Sequence, residues 1–260
     1  MSKHEDFFIG WKGSVSANQK KRIRSLLLPI FTAVPILILA IVYFTKPFGD
    51  GVFELGKVKE FSGVYYEKPF PVLQLDEGQL PEGNKLSALL VGFGKSGAVT
   101  WMQDIEKKKG SLDGKKLKIQ GTLINGDGRA LIELTKRENS VVEVYENWTF
   151  ENIEPALQKT SVEGEIVDPK CWFGVMKPAE GKVHKSCAIR CISGGIPPVL
   201  RVKDGEENEY YVLKGEDGED INKDVLQFIG EPIATAGQSY EVNGWKVLQV
   251  DPKEIRYKND

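Results

Sequence analysis

All three cysteines of the chain and one of its two histidines fall within a single short segment: Cys171, His184, Cys187 and Cys191, spaced C-x12-H-x2-C-x3-C. Three thiolates and an imidazole make up the ligand complement of a closed Cys3His zinc site. The two short spacings put His184, Cys187 and Cys191 on one face of a helical turn. Cu(I) or an iron–sulfur cluster accepts the same soft donors, so the metal implied is zinc or another soft transition metal. Two other readings stay open on spacing alone. One is a disulfide between two of the cysteines with the third thiol free, which an oxidising compartment favours; the other is inert buried thiols. No CxxCH occurs, so c-type haem attachment is not indicated.

Other chemistry-bearing patterns are weaker. Gly92-Phe-Gly94-Lys-Ser-Gly97 has the G-x-G-x-x-G form and lies between an apolar run and an amphipathic stretch. A dinucleotide loop needs an acidic ribose ligand at the end of the next strand, where this chain has Gly121-Thr122, so no nucleotide partner is expected. The acidic stretch Asp204 to Asp224 fails the spacing of a calcium-binding EF-hand and reads as a solvated hairpin. With His184 as the one histidine beyond the apolar segment, no Ser-His-Asp set can be assembled, and no independent catalytic activity is expected. Thirty-five basic against thirty-seven acidic residues leave no basic field to attract nucleic acid.

These residues need elements to hold them. Leu26 to Phe44, LLLPIFTAVPILILAIVYF, carries no charge and is long enough to cross about 30 Å of hydrocarbon. Its two prolines are tolerated in a membrane helix, where freed carbonyls are satisfied locally. Lys20, Lys21, Arg22 and Arg24 precede it, whereas only Lys46 follows closely, so the N-terminus is expected in the cytoplasm and the bulk of the chain outside it, as a single-pass protein of a bacterial inner membrane. No small-x-small cleavage site follows the apolar run, so the anchor is expected to stay. Phe7, Phe8 and Trp11 are expected at the membrane interface and His4 in solvent.

Beyond a linker at 45–59, two stretches resemble each other. Phe61 to Glu67 runs parallel to Val162 to Asp168, an offset of 101 residues. Gly114 to Leu134 runs parallel to Gly230 to Val250, an offset of 116, so the second copy gains fifteen residues, and these fall in the Cys/His segment. Glycines match at four places in register with alternating apolar positions, as in a tandem repeat. Each copy reads as strands with period-two alternation, Gly-containing turns at Asn125-Gly126-Asp127-Gly128 and Asn243-Gly244, and one helix, at about 98–109 in the first and 221–228 in the second. The expected fold is mainly β: a cytoplasmic arm (1–25), a transmembrane helix (26–44), a linker (45–59), and two tandem OB-like small β-barrels at 60–150 and 151–260, the second carrying the Cys/His loop.

The run from Gly164 through Pro197, with Cys171, His184, Cys187-Ala188, Cys191 and Gly195-Ile-Pro197, resembles a motif in uncharacterised bacterial exported proteins. The whole layout resembles membrane proteins associated with respiratory cytochrome b/Rieske-type gene groups. That resemblance implies an accessory subunit of an electron-transfer complex with cytochrome-type membrane partners. The competing expectation is a thiol-disulfide or metal-handling enzyme or chaperone of the periplasm, with Cys187 and Cys191 cycling between dithiol and disulfide.

Overall fold

The computed structural model describes residues 15–44, 51–135, 137–145, 155–205 and 207–258, which form two units divided at Phe48. The expectations for His4, Phe7, Phe8, Trp11 and Lys46 lie outside the described residues.

In the first unit, helix α1 spans Ala17–Phe44 and starts nine residues before the apolar run. Lys, Arg and Gln are good helix formers, and the Ser16 hydroxyl accepts the Gln19 N–H at 3.3 Å, so the basic stretch is drawn into the helix. Pro29 and Pro35 sit inside it, and Thr32 Oγ1 donates to the Leu28 and Pro29 carbonyls at 3.1 and 3.0 Å. The helix has a mean hydropathy of 2.6 over its most apolar window and buries no residue, so it is long and apolar enough to anchor the chain by a single membrane pass.

The second unit holds two closed five-stranded barrels. In the first, β2 (Lys59–Tyr66) pairs with β3 (Val72–Leu75), β3 with β4 (Ser87–Val91), and β4 runs parallel to β6 (Arg129–Leu134). β6 pairs with β5 (Lys116–Gly126), which returns to β2. The second barrel repeats this circuit with β8 (Gln158–Val167), β9 (Val199–Asp204), β10 (Glu207–Lys214), β11 (Pro232–Val242) and β12 (Trp245–Gln249), again closed by one parallel pair, β10 with β12. β1 (Val52–Phe53) and β7 (Val141–Tyr145) flank β5, and β13 (Arg256–Tyr257) flanks β11. The expected linker therefore contributes a short strand to the first barrel.

The repeat is visible in its turns. Asp127-Gly128 and Asn243-Gly244 close equivalent hairpins, and all four residues have φ between 49° and 75°, which Asn, Asp and Gly adopt at least cost. Gly63 and Gly164 occupy the same place in each first strand, where a Cβ would meet a carbonyl oxygen of the neighbouring strand, Gln74 at 2.2 Å and Arg201 at 2.3 Å.

Two differences between the copies bear on the site. The first copy has the expected helix, α2 (Val99–Lys109), which plugs its barrel with Met102 and Ile105. The helix expected at 221–228 is instead a turn at Ile221, whose carbonyl accepts from Asp224 and Val225, followed by a single 3-10 turn at Leu226–Phe228. The backbone becomes extended at Ile229 and left-handed at Gly230, which ends the segment. In compensation, the second copy inserts α3 (Pro169–Trp172) and α4 (Gly181–Ser193) between its first two strands, where the first copy has only residues 67–71, and α4 covers that barrel with Ala188 and Ile192.

Between the barrels lies a third core. Residues alternating with those that point inward, among them Val64, Val72, Leu89, Val91, Ile124 and Leu131, meet Val167, Val199, Tyr210, Val212, Trp245 and Val247 of the second barrel, with Phe173 and Cys191 from the insert. Strand β4, SALLV, is buried at every residue because both of its faces pack, one into the barrel and one onto its neighbour.

A buried ion pair crosses this junction. Lys170 of α3 pairs with Glu133 of β6, and its Nζ also donates to the Gly92 and Gly94 carbonyls at 3.2 and 2.6 Å; Glu133 Oε1 accepts the Gly94 N–H at 2.9 Å. Removing one partner leaves the other charge buried and unpaired. Lys170→Met should therefore lower the stability of the full chain in mild detergent by about 3–5 kcal/mol. Denaturant titration checks this, and a loss below about 1 kcal/mol would show that the pair does not hold the barrels together.

Candidate metal centre

The insert brings its ligands together from two helices. Asp168 caps α3, its Oδ1 accepting the Lys170 N–H at 3.0 Å, and Pro169 follows at the first helical position, where its fixed φ and missing N–H cost nothing. This single turn presents Cys171. The neighbouring Trp172 is held by the Arg201 guanidinium stacked 4.2 Å from its ring centroid and by its indole N–H, which donates to Tyr210 Oη at 2.7 Å; Tyr210 in turn donates to Asp127 across the barrel junction. Helix α4 carries His184, Cys187 and Cys191 at i, i+3 and i+7, on one face as the spacing predicts. Its C-terminal end is tied down by Asn222, whose amide donates to the Ile192 and Ile196 carbonyls at 2.7 and 2.8 Å.

The four expected ligands and Asp168 form two triads that share Cys171. The sulfurs of Cys171, Cys187 and Cys191 lie within 4.8 Å of one another, and so do the donor atoms of Asp168, Cys171 and His184. His184 thus joins Cys171 without belonging to the three-thiol group. Cys171, Cys191, Asp168 and His184 are buried, and Cys187 is half-buried. All three cysteines are free thiols. A tetrahedral ion with Zn–S bonds of about 2.3 Å sets its sulfurs about 3.8 Å apart, so the thiols need only a small inward shift to close on one ion.

Two buried atoms, His184 Nε2 and Asp168 Oδ2, have no hydrogen-bond partner among the described residues. Such atoms cost free energy unless a donor, an acceptor or a cation meets them. Both residues lie beside Cys171, where a cation would sit. The Cys191 thiol next to it, burial, and the Asp168 carboxylate push the Cys171 thiol well above its ordinary value, so without a cation this sulfur holds its proton.

Two residues that spacing does not reveal complete the site. Asp168 caps α3 through one oxygen, and its carboxylate comes beside His184 only when α3 and α4 pack. Lys95 comes from the other barrel. Its Nζ lies 3.1 Å from Cys187 Sγ and 3.7 Å from Cys191 Sγ, and the hydrogen bond to Cys187 raises the ammonium above the ordinary lysine value against the opposing pull of burial. The G-x-G-x-x-G run is the loop that delivers it. Gly97 N–H donates to the Gly194 carbonyl at 2.9 Å, and a Cβ on Gly97 would lie 2.0 Å from Gly195 O, so the glycines permit contact with the end of α4. Among the described residues, the acidic stretch at 204–224 supplies no comparable group of ligands.

No protein family, no curated protein and no solved structure matches this chain.

Burial, reinforced by Lys95 and Lys177 and opposed by Asp168, holds the His184 imidazole below its ordinary value of about 6.5. The unfolded chain therefore binds the proton first as pH falls, and metal-free protein should have this stability in full above about pH 6.5 and lose it on the acid side, down through the depressed folded value. Thermal unfolding between pH 7.5 and 5.5 should show the loss in the parent and a flatter profile in His184→Gln. Equal slopes would mean that this imidazole is not held neutral by the fold.

Proposed function

We propose that this chain is a membrane-anchored protein whose Cys/His centre binds one divalent transition metal of the zinc type through Cys171, Cys187, Cys191 and His184. The observation that carries this reading is the pair of triads sharing Cys171, with the buried His184 Nε2 and Asp168 Oδ2 left unpartnered beside it. Three converging thiols, an imidazole and a carboxylate are donors that a borderline-soft cation accepts. The site sits in a packed junction between barrels, which suits a structural or metal-handling role in which binding energy adds to folding energy.

The location belongs to the same reading. Lys20, Lys21, Arg22 and Arg24 lie in the first turns of α1, which supports a cytoplasmic N-terminus and barrels on the extracytoplasmic side of a bacterial inner membrane. The OB-like assignment is supported by the circuit of the five strands and, in the first copy, by a helix between the third and fourth. A place beside cytochrome-type partners in a respiratory complex rests on the resemblance in the sequence alone. Thiol-disulfide exchange is the second reading, favoured by one observation: Cys187 is half-exposed with two other sulfurs within 4.8 Å.

Full-length protein purified anaerobically in mild detergent should carry about one metal per chain, and His184→Ala should bind it about tenfold or more weakly. A metal-free chain with two thiols that resist alkylation until reductant is added would replace the metal reading with the disulfide one. In the same cells, protease added to spheroplasts should digest the barrels; protection until the membrane is lysed would reverse the orientation.

A further inference from the structure

We infer that Lys95 is a positioning residue of the metal centre, donating N–H···S hydrogen bonds to Cys187 and Cys191 from the opposite barrel. The inference rests on the metal reading above and adds a residue to it. Lys95 is exposed, yet its ammonium lies 3.1 and 3.7 Å from the two sulfurs. An exposed lysine usually samples many rotamers in water, so what matters is how firmly its main chain is placed.

Here the main chain is fixed from three sides. Gly92 N–H donates to Ser96 O at 2.8 Å, which closes the loop on itself. Lys170 Nζ holds the Gly92 and Gly94 carbonyls, and Glu133 holds the Gly94 N–H. On the third side the loop lies against α4: a Cβ on Gly194 would fall 1.9 Å from the Lys95 carbonyl oxygen, so the lysine backbone touches the end of the helix that carries two of the thiols. Lys170, which fixes the loop, directly precedes Cys171. One buried ion pair therefore sets both a ligand and the residue that caps the ligands.

Three thiolates and one divalent ion leave one net negative charge in a half-buried site, and the Lys95 ammonium offsets it. Outer hydrogen bonds to metal ligands usually change affinity by about 10–100-fold when removed.

The test uses the full chain in mild detergent, stripped with a chelator under reducing, anaerobic conditions and titrated with Co2+ alone. Lys95→Met and Lys95→Gln should each bind Co2+ about 10–100-fold more weakly than the parent and show a shifted sulfur-to-cobalt charge-transfer band, because the sulfurs lose their donor. Lys95→Arg should recover most of the affinity. Parent-like Co2+ affinity and spectrum in Lys95→Met and Lys95→Gln would overturn the inference while leaving the metal reading intact. Failure of the parent itself to bind Co2+ would remove the metal reading and the inference with it.

Discussion

The Lys170–Glu133 ion pair is the contact on which the arrangement of the second unit depends. It joins the first residues of the Cys/His insert to the last strand of the other barrel, and Lys170 spends its remaining protons on two carbonyls of the glycine loop. Replacing a buried ion pair with apolar residues is often neutral for stability, so its presence is better understood as a device for register. Around it, Val91, Ile124, Phe173, Val212 and Trp245 supply the non-directional burial, at about 1.5–3 kcal/mol for each large apolar side chain removed from water. Burial brings the barrels together, and the charged pair decides which residues face each other.

This division of labour explains why the candidate centre lies at the junction. A closed five-stranded barrel of this size fills its interior with its own side chains: Phe61, Tyr65, Leu90 and Ile132 in one, Tyr211, Leu213 and Leu248 in the other. No room for a polar cluster remains inside either. The insert between β8 and β9 instead lies over the second barrel and against the first, where Cys191 belongs to the shared core and Cys187 reaches toward solvent. Ligands drawn from two short helices, with a lysine from the other copy, give a site that is complete only when both copies are docked.

Much of the architecture was legible in the sequence for a physical reason. Period-two alternation, positive-φ turns at Asp127-Gly128 and Asn243-Gly244, and glycines such as Gly63 and Gly164, required by close strand approach, are local demands that repeat in both copies. The apolar span was legible because a bilayer imposes a length. The one-sided spacing of His184, Cys187 and Cys191 likewise follows from helical period alone. What was not legible depends on docking. Strand β4 reads as one apolar run, and nothing local tells which of its faces meets a second barrel. Lys95 hides in a loop whose glycines suggest phosphate binding but serve the approach to Gly194 and Gly195, and the free oxygen of Asp168 acquires its meaning only from His184 on another helix. The helix expected at 221–228 is turns instead: its local pattern is helical, but Asn222 is drawn to the Ile192 and Ile196 carbonyls of the insert and the chain turns extended at Ile229.

The central claim is that the thiols and His184 close on one metal ion at the barrel junction. X-ray absorption at the edge of the metal that co-purifies with full-length, anaerobically handled protein tests it most directly. The account predicts a four-coordinate first shell of three sulfurs at about 2.3 Å and one nitrogen at about 2.0 Å, with the nitrogen scatterer lost in His184→Ala. A first shell of oxygen and nitrogen only, unchanged by that substitution, would contradict it.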